Sequence, residues 1–86
     1  MLFRKALGQA INAERILQNR TLRDVSEQAI MSLGYLSEIE RGMKEISSEF
    51  LVPICEALFR SEVDLIRNAA NIIESSKLAK EELSRV

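Results

Sequence analysis

The 22 residues from Thr21 to Gly42 hold two short helices and the tight turn between them, and they constrain this chain more than any other stretch. The segment reads "TLRDVSEQAIMSLGYLSEIERG". Thr21 is a good N-cap for a helix over about 22–29, since its hydroxyl can accept from first-turn amides. Ile30 and Met31 make the turn. Ser32 caps a second helix over about 33–41, and Gly42 stands where a helix C-terminus favours a left-handed residue. Gly34, inside that second helix, weakens it by about 1 kcal/mol relative to alanine. A partner that must come close to the backbone would account for it.

The rest of the chain is helical by the same criteria. One proline and three glycines interrupt 86 residues, and no strand-like alternation occurs. A first helix spans about 2–18, with Phe3, Leu7, Ala10, Ile11 and Leu17 at helical spacing. Ser47 caps a fourth helix over about 48–58, in which Pro53 removes a backbone hydrogen bond and predicts a kink. Ser61 and Asp64 form a capping box at the start of a fifth helix that meets no breaker before Val86. The expected fold is all-α, with five helices. A domain over 1–66 carries the helix pair at 21–42, and a long C-terminal helix spans 61–86.

Composition narrows the function classes. There is no histidine and one cysteine, so the chain cannot close an internal disulfide and has almost no thiolate or imidazole metal ligands. The expectation is no metal and no cofactor. This usage fits a reducing, cytoplasmic setting. No apolar run approaches the roughly 18 residues that a membrane span needs. The N-terminus "MLFRKALGQA" lacks the long apolar stretch of a signal peptide. No phosphate loop and no nucleophile–base pair occur, so an enzyme has no support. Residues 1–44 carry seven basic and five acidic side chains (+2), and residues 45–86 carry five and eight (−3). This asymmetry permits a nucleic-acid face on the first half.

The third helix can be laid out at 100° per residue. Leu36, Ile39 and the stem of Glu40 fall on one side. Gly34, Ser37, Glu38 and Arg41 fall on the other, with Leu33 and Tyr35 at the flanks. The outward face is small and polar, as a helix entering a major groove about 12 Å wide requires. Without a side chain at Gly34, its first turn can approach base edges or the sugar-phosphate backbone. Two short helices joined by such a turn are the helix-turn-helix pattern.

From Ile11 to Ile66 the chain resembles the Cro/C1-type (XRE, lambda repressor-like) helix-turn-helix regulators. The matching residues are Ile11 and Arg15 in the first helix, "TLRDVSEQA" with a small Ser26, "MSLGYLSEIERG", and "LVPICEAL". Within that family, "TLRDVS", "SLGYLSEIERG", "KEISSE" and "ICEAL" resemble the Clp-gene-regulator (ClgR) type, activators of protease and chaperone genes in actinobacteria. The resemblance implies a partner, double-stranded DNA. It puts Leu33, Gly34, Ser37 and Glu38 at base-facing positions. Thr21, Arg23, Ser32, Tyr35, Arg41 and Lys44 take phosphate-facing ones. It also implies an ion pair between Arg15 and Glu40 that holds the recognition helix. The sequence departs from the family at Leu22, Ile30, Pro53, Phe59 and Arg60. Ile30 occupies a turn position often held by glycine, where a positive φ would be costly.

Along the fifth helix, Leu65, Ala69, Ile72, Ser76, Ala79, Leu83 and Val86 follow a heptad spacing. The helix's first turns are expected to pack on the chain's own domain as well. Its later turns need another surface, and a second copy of the chain is the expected partner for a seam through Leu65, Ala69, Ile72, Ala79 and Leu83. Cys55 is expected to be a small core residue. No small-molecule ligand is indicated. Two functions remain: a dimeric sequence-specific DNA-binding regulator, and a helix-turn-helix module for protein contact, such as an antitoxin or partner inhibitor.

Overall fold

The computed structural model describes residues 1–84, with side chains described through Lys80. Five helices follow in order: α1 (Phe3–Leu17), α2 (Leu22–Gln28), α3 (Leu33–Glu40), α4 (Ser48–Ala57) and α5 (Glu62–Ser84). No strand occurs among the described residues. The first four helices stand within one residue of their expected ends, and α5 begins one residue after Ser61; its expected end at Val86 lies outside the described residues.

Local chemistry sets those ends. The Thr21 hydroxyl accepts from the Asp24 amide at 3.0 Å, and the Asp24 carboxylate accepts from the Thr21 amide at 2.9 Å. Ser61 and Asp64 repeat this reciprocal cap at 3.1 and 3.2 Å. At α3, the Ser32 hydroxyl accepts from the Tyr35 amide at 3.0 Å. Ser47 holds the N-cap position of α4 in an extended conformation, but its hydroxyl accepts no capping bond, contrary to expectation. Helix α4 continues through Pro53.

The first four helices end alike. The residue after each C-cap turns left-handed: Asn19, Ile30 and Phe59 at φ 55° and Gly42 at φ 73°. Two backbone bonds close each end; after α2 the Ile30 amide donates to Glu27 and the Met31 amide to Ser26. This is the Schellman arrangement. Only Gly42 adopts it without the steric cost, roughly 1–2 kcal/mol, that a Cβ brings.

The core gathers Ala6, Leu7, Ala10 and Ile11 of α1, Val25 and Ala29 from the α2 region, and Leu36 and Ile39 of α3. Ile54, Cys55, Ala57 and Leu58 from α4 and its end join them, with Leu65 and Ala69 of α5. Phe3 and Leu17, expected to face inward, are 50% and 73% exposed. Helix α1 packs against α3 and α5 through Ala6, Leu7, Ala10 and Ile11, and Phe3 and Leu17 lie off that face. At Gly8 any side chain would collide with the Ile39 carbonyl oxygen, so glycine lets the α1 and α3 backbones cross closely.

The α5 seam requires correction. Leu65 and Ala69 are fully buried in the chain's own core, and Ile72 is half-buried against it, so these positions are already filled. A helix that starts on a small core spends its first apolar turns there. Ala79 is exposed beyond that contact. The Leu83 side chain and Val86 lie outside the described residues. Cys55 is buried, and burial pushes its thiol up to about 11, so it stays protonated and packs as a small apolar group.

Candidate nucleic-acid interface

Helix α3 presents two unlike faces. Leu36 and Ile39 are fully buried, and Glu40 is buried beside them. On the other side, a Cβ built on Gly34 would meet no atom within 4 Å. Leu33 and Arg41 are exposed, and Ser37 and Glu38 are half-buried. The Glu38 carboxylate makes no hydrogen bond or ion pair among the described residues. The turn that opens α3 is therefore bare at Gly34, with the Leu33 side chain exposed beside it.

Three side chains fix this helix from behind. Arg15 donates to Glu40 through Nε at 2.8 Å and Nη2 at 2.9 Å, a two-pronged ion pair. The remaining Arg15 Nη1 donates to the Arg20 carbonyl at 2.9 Å, and Asn12 donates to the same carboxylate at 2.7 Å. The hydrogen bond to Glu40 holds the Arg15 guanidinium more firmly protonated than usual. One carboxylate on α3 thus ties it to two turns of α1. Neither Asn12 nor the Arg20 carbonyl was expected there. The signal for Asn12 lay in its i, i+3 spacing from Arg15.

The expected phosphate-facing residues divide. Arg23, Arg41 and Lys44 are exposed cations. Arg41 also donates to the Ser37 carbonyl at 3.3 Å. Ser32 is exposed, with its hydroxyl engaged as the cap. Tyr35 serves differently from expectation: its one hydroxyl proton is given to the Glu45 carbonyl at 3.2 Å, and its ring lies 5.0 Å from that of Phe50. Having spent its donor, Tyr35 braces the α3–α4 loop. At Thr21 the backbone amide is committed to Asp24, so among the described residues the open donors of that turn are the amides of Leu22 and Arg23.

A second polar cluster, unforeseen in the sequence, locks the other end of α1. Buried Glu14 accepts from Arg60 Nε at 2.7 Å and from Gln18 at 2.9 Å, and Gln18 also donates to the Leu58 carbonyl at 2.7 Å. The Arg60 hydrogen bond holds the Glu14 carboxyl below its ordinary range, against the opposing effect of burial. Arg20 donates to the Ala57 carbonyl and lies over the Phe59 ring. The unusual Phe59–Arg60 pair thus secures the α4–α5 corner. Its partners, Arg20 and Glu14, are 39 and 46 residues away in sequence, so no local spacing announces them. Among the described residues no group of acidic, cysteine or histidine side chains could hold a metal ion, and no helix is long and apolar enough to cross a membrane.

Two short capped helices joined by a tight turn, the second open at Gly34 and clamped from behind by Arg15, make this a helix-turn-helix protein. The helix-turn-helix family profile matches residues 11–65. The chain belongs to the XRE-type helix-turn-helix family and is ClgR-like within it. The transcriptional regulator ClgR of Mycobacterium tuberculosis is 58% identical over 57 residues, which are 66% of this chain and 51% of that protein. The chain thus spans about half the length of the curated relatives it matches. The crystal structure of the clp gene regulator ClgR from Corynebacterium glutamicum superposes with a TM-score of 0.89 at 44% identity, covering 99% of this chain and 89% of that one. The restriction-modification controller protein C.AhdI from Aeromonas hydrophila shares the fold alone, with a TM-score of 0.70 at 18% identity over 72% of this chain and 94% of its own.

Proposed function

We propose that the chain is a sequence-specific DNA-binding regulator of transcription that acts as a homodimer and seats α3 in the major groove. The observation that carries this reading is the contrast on α3. Its outward turn is open at Gly34, and its inward side is clamped by Arg15 and Glu40. A helix with a bare outer turn and a fixed angle suits close approach to base edges. Leu33, Gly34, Ser37 and Glu38 face the bases, and Arg23, Arg41 and Lys44 face phosphates. Glu38 accepts from the exocyclic amine of cytosine, the base edge suited to an acceptor-only group. The likeness to proteins named as clp gene regulators extends the proposal to activation of Clp protease and chaperone genes.

Selection of bound sequences from random duplex DNA tests it, followed by affinity measured against salt. Three cations per subunit engaging phosphates would give a log–log slope of about −5 for a dimer. A flat salt response with no enriched sequence would favour the protein-contact module instead. That second reading draws on the acidic second half and on the exposed Phe59, Val63 and Ile66.

A further inference from the structure

We infer that Leu33 reads the 5-methyl group of a thymine, so that each half-site carries a fixed thymine beside the cytosine read by Glu38. This rests on the proposal that α3 enters the major groove. Leu33 is the first residue of α3 and 38% of its surface is open, although leucine is among the side chains most often buried. Its surroundings on that surface are polar or bare: the Ser32 cap, Ser37 one turn on, and empty space at Gly34. The core does not need it, because Leu36 and Ile39 already fill the inward side.

An apolar tip in a groove has few favourable contacts. The donors and acceptors on the base edges would lose water to leucine without gaining a hydrogen bond, which is unfavourable. The thymine methyl is the one apolar group the major groove offers. Leu33 and Glu38 are five residues apart, about 7.5 Å along the helix axis. At about 3.4 Å per base step, the thymine lies roughly two base pairs from the cytosine.

Replacing each thymine of the selected operator by deoxyuridine, one at a time, removes only the methyl. At one position per half-site the affinity should fall about fourfold, the scale of one buried methyl-sized group. The Leu33→Ala chain should bind the thymine and uridine operators equally. Its helix content, checked by circular dichroism, should be unchanged, since Leu33 is outside the core. If no thymine responds, or if the response persists in Leu33→Ala, the methyl contact is overturned while DNA recognition stands. If selection enriches no sequence at all, the groove reading fails first and takes this inference with it.

Discussion

Adding one methyl group at Gly34 acts on two quantities in opposite directions. Open space surrounds the site, so Gly34→Ala meets no steric obstacle and gains helix propensity, raising stability by up to about 1 kcal/mol. The same methyl would stand between the first turn of α3 and the base edges. Thermal melts should rise while DNA affinity falls; a higher melting temperature with unchanged affinity would remove Gly34 from the groove. Ile30 is the converse case. It holds a left-handed backbone at φ 55° with 88% of its surface exposed, so it bears the strain of a β-branched residue and contributes little packing. Ile30→Gly should stabilise the fold by about 1 kcal/mol, or about 4–8 °C for a domain of this size. A drop in melting temperature would mean that the exposed side chain packs more than its surface suggests.

Helices and their joints carry the next set of expectations. The Arg15–Glu40 pair has side chains only 13% and 4% exposed, so removing one partner strands the other charge. In a double-mutant cycle with Arg15→Ala and Glu40→Ala, the double variant should lose less than the sum of the singles, with coupling of about 1–3 kcal/mol. Additive losses in chemical denaturation would rule the clamp out. Acid should weaken the same scaffold. Glu14 is held below its ordinary range by its hydrogen bond from Arg60. Asp24 and Asp64 are held low by the backbone amides of Thr21 and Ser61. In the unfolded chain these carboxyls titrate near about pH 4. Their contribution is therefore fully present above that value and is lost as pH falls through the lowered folded values. Asp64→Asn should flatten the fall in melting temperature on acidification; an unchanged acid limb would show that the capping box contributes nothing there. What the sequence revealed and what it hid follow the same division. Caps at Thr21, Ser32 and Ser61 and the burial of Leu36 and Ile39 depend on neighbours within four residues, so spacing exposes them. The Glu14–Arg60 lock, the Tyr35–Glu45 brace and the close crossing at Gly8 depend on which helices meet. No local pattern carries that information.

At the scale of the molecule, the question is what covers the outer face of α5. The helix is 23 residues long, or roughly 34 Å. Its first inward turns are used by the chain's own core, which leaves a different face for a partner. Val63, Ile66 and Ala70 are exposed at spacings of three and four, with half-buried Ile73 next in the series and exposed Phe59 just before them. This stripe lies about a quarter-turn from the Leu65–Ala69 seam, counting 3.6 residues per turn. A second copy pairing through it would be related by a two-fold axis, presenting two α3 helices to one face of DNA. Inverted half-sites with centres about 34 Å apart, one turn of DNA, are then expected. Ile66→Asp would put a charge into that apolar contact while leaving the monomer core intact, unlike a change at Ile72, which touches the core. Sedimentation of the unmodified chain should show a dimer at tens of micromolar, roughly the range of a weak interface, and Ile66→Asp should shift it to monomer. The same variant should bind an isolated half-site as well as the unmodified chain does, but bind the full operator far more weakly. A monomeric unmodified chain, or a variant that keeps full operator affinity, would exclude this face as the dimer contact.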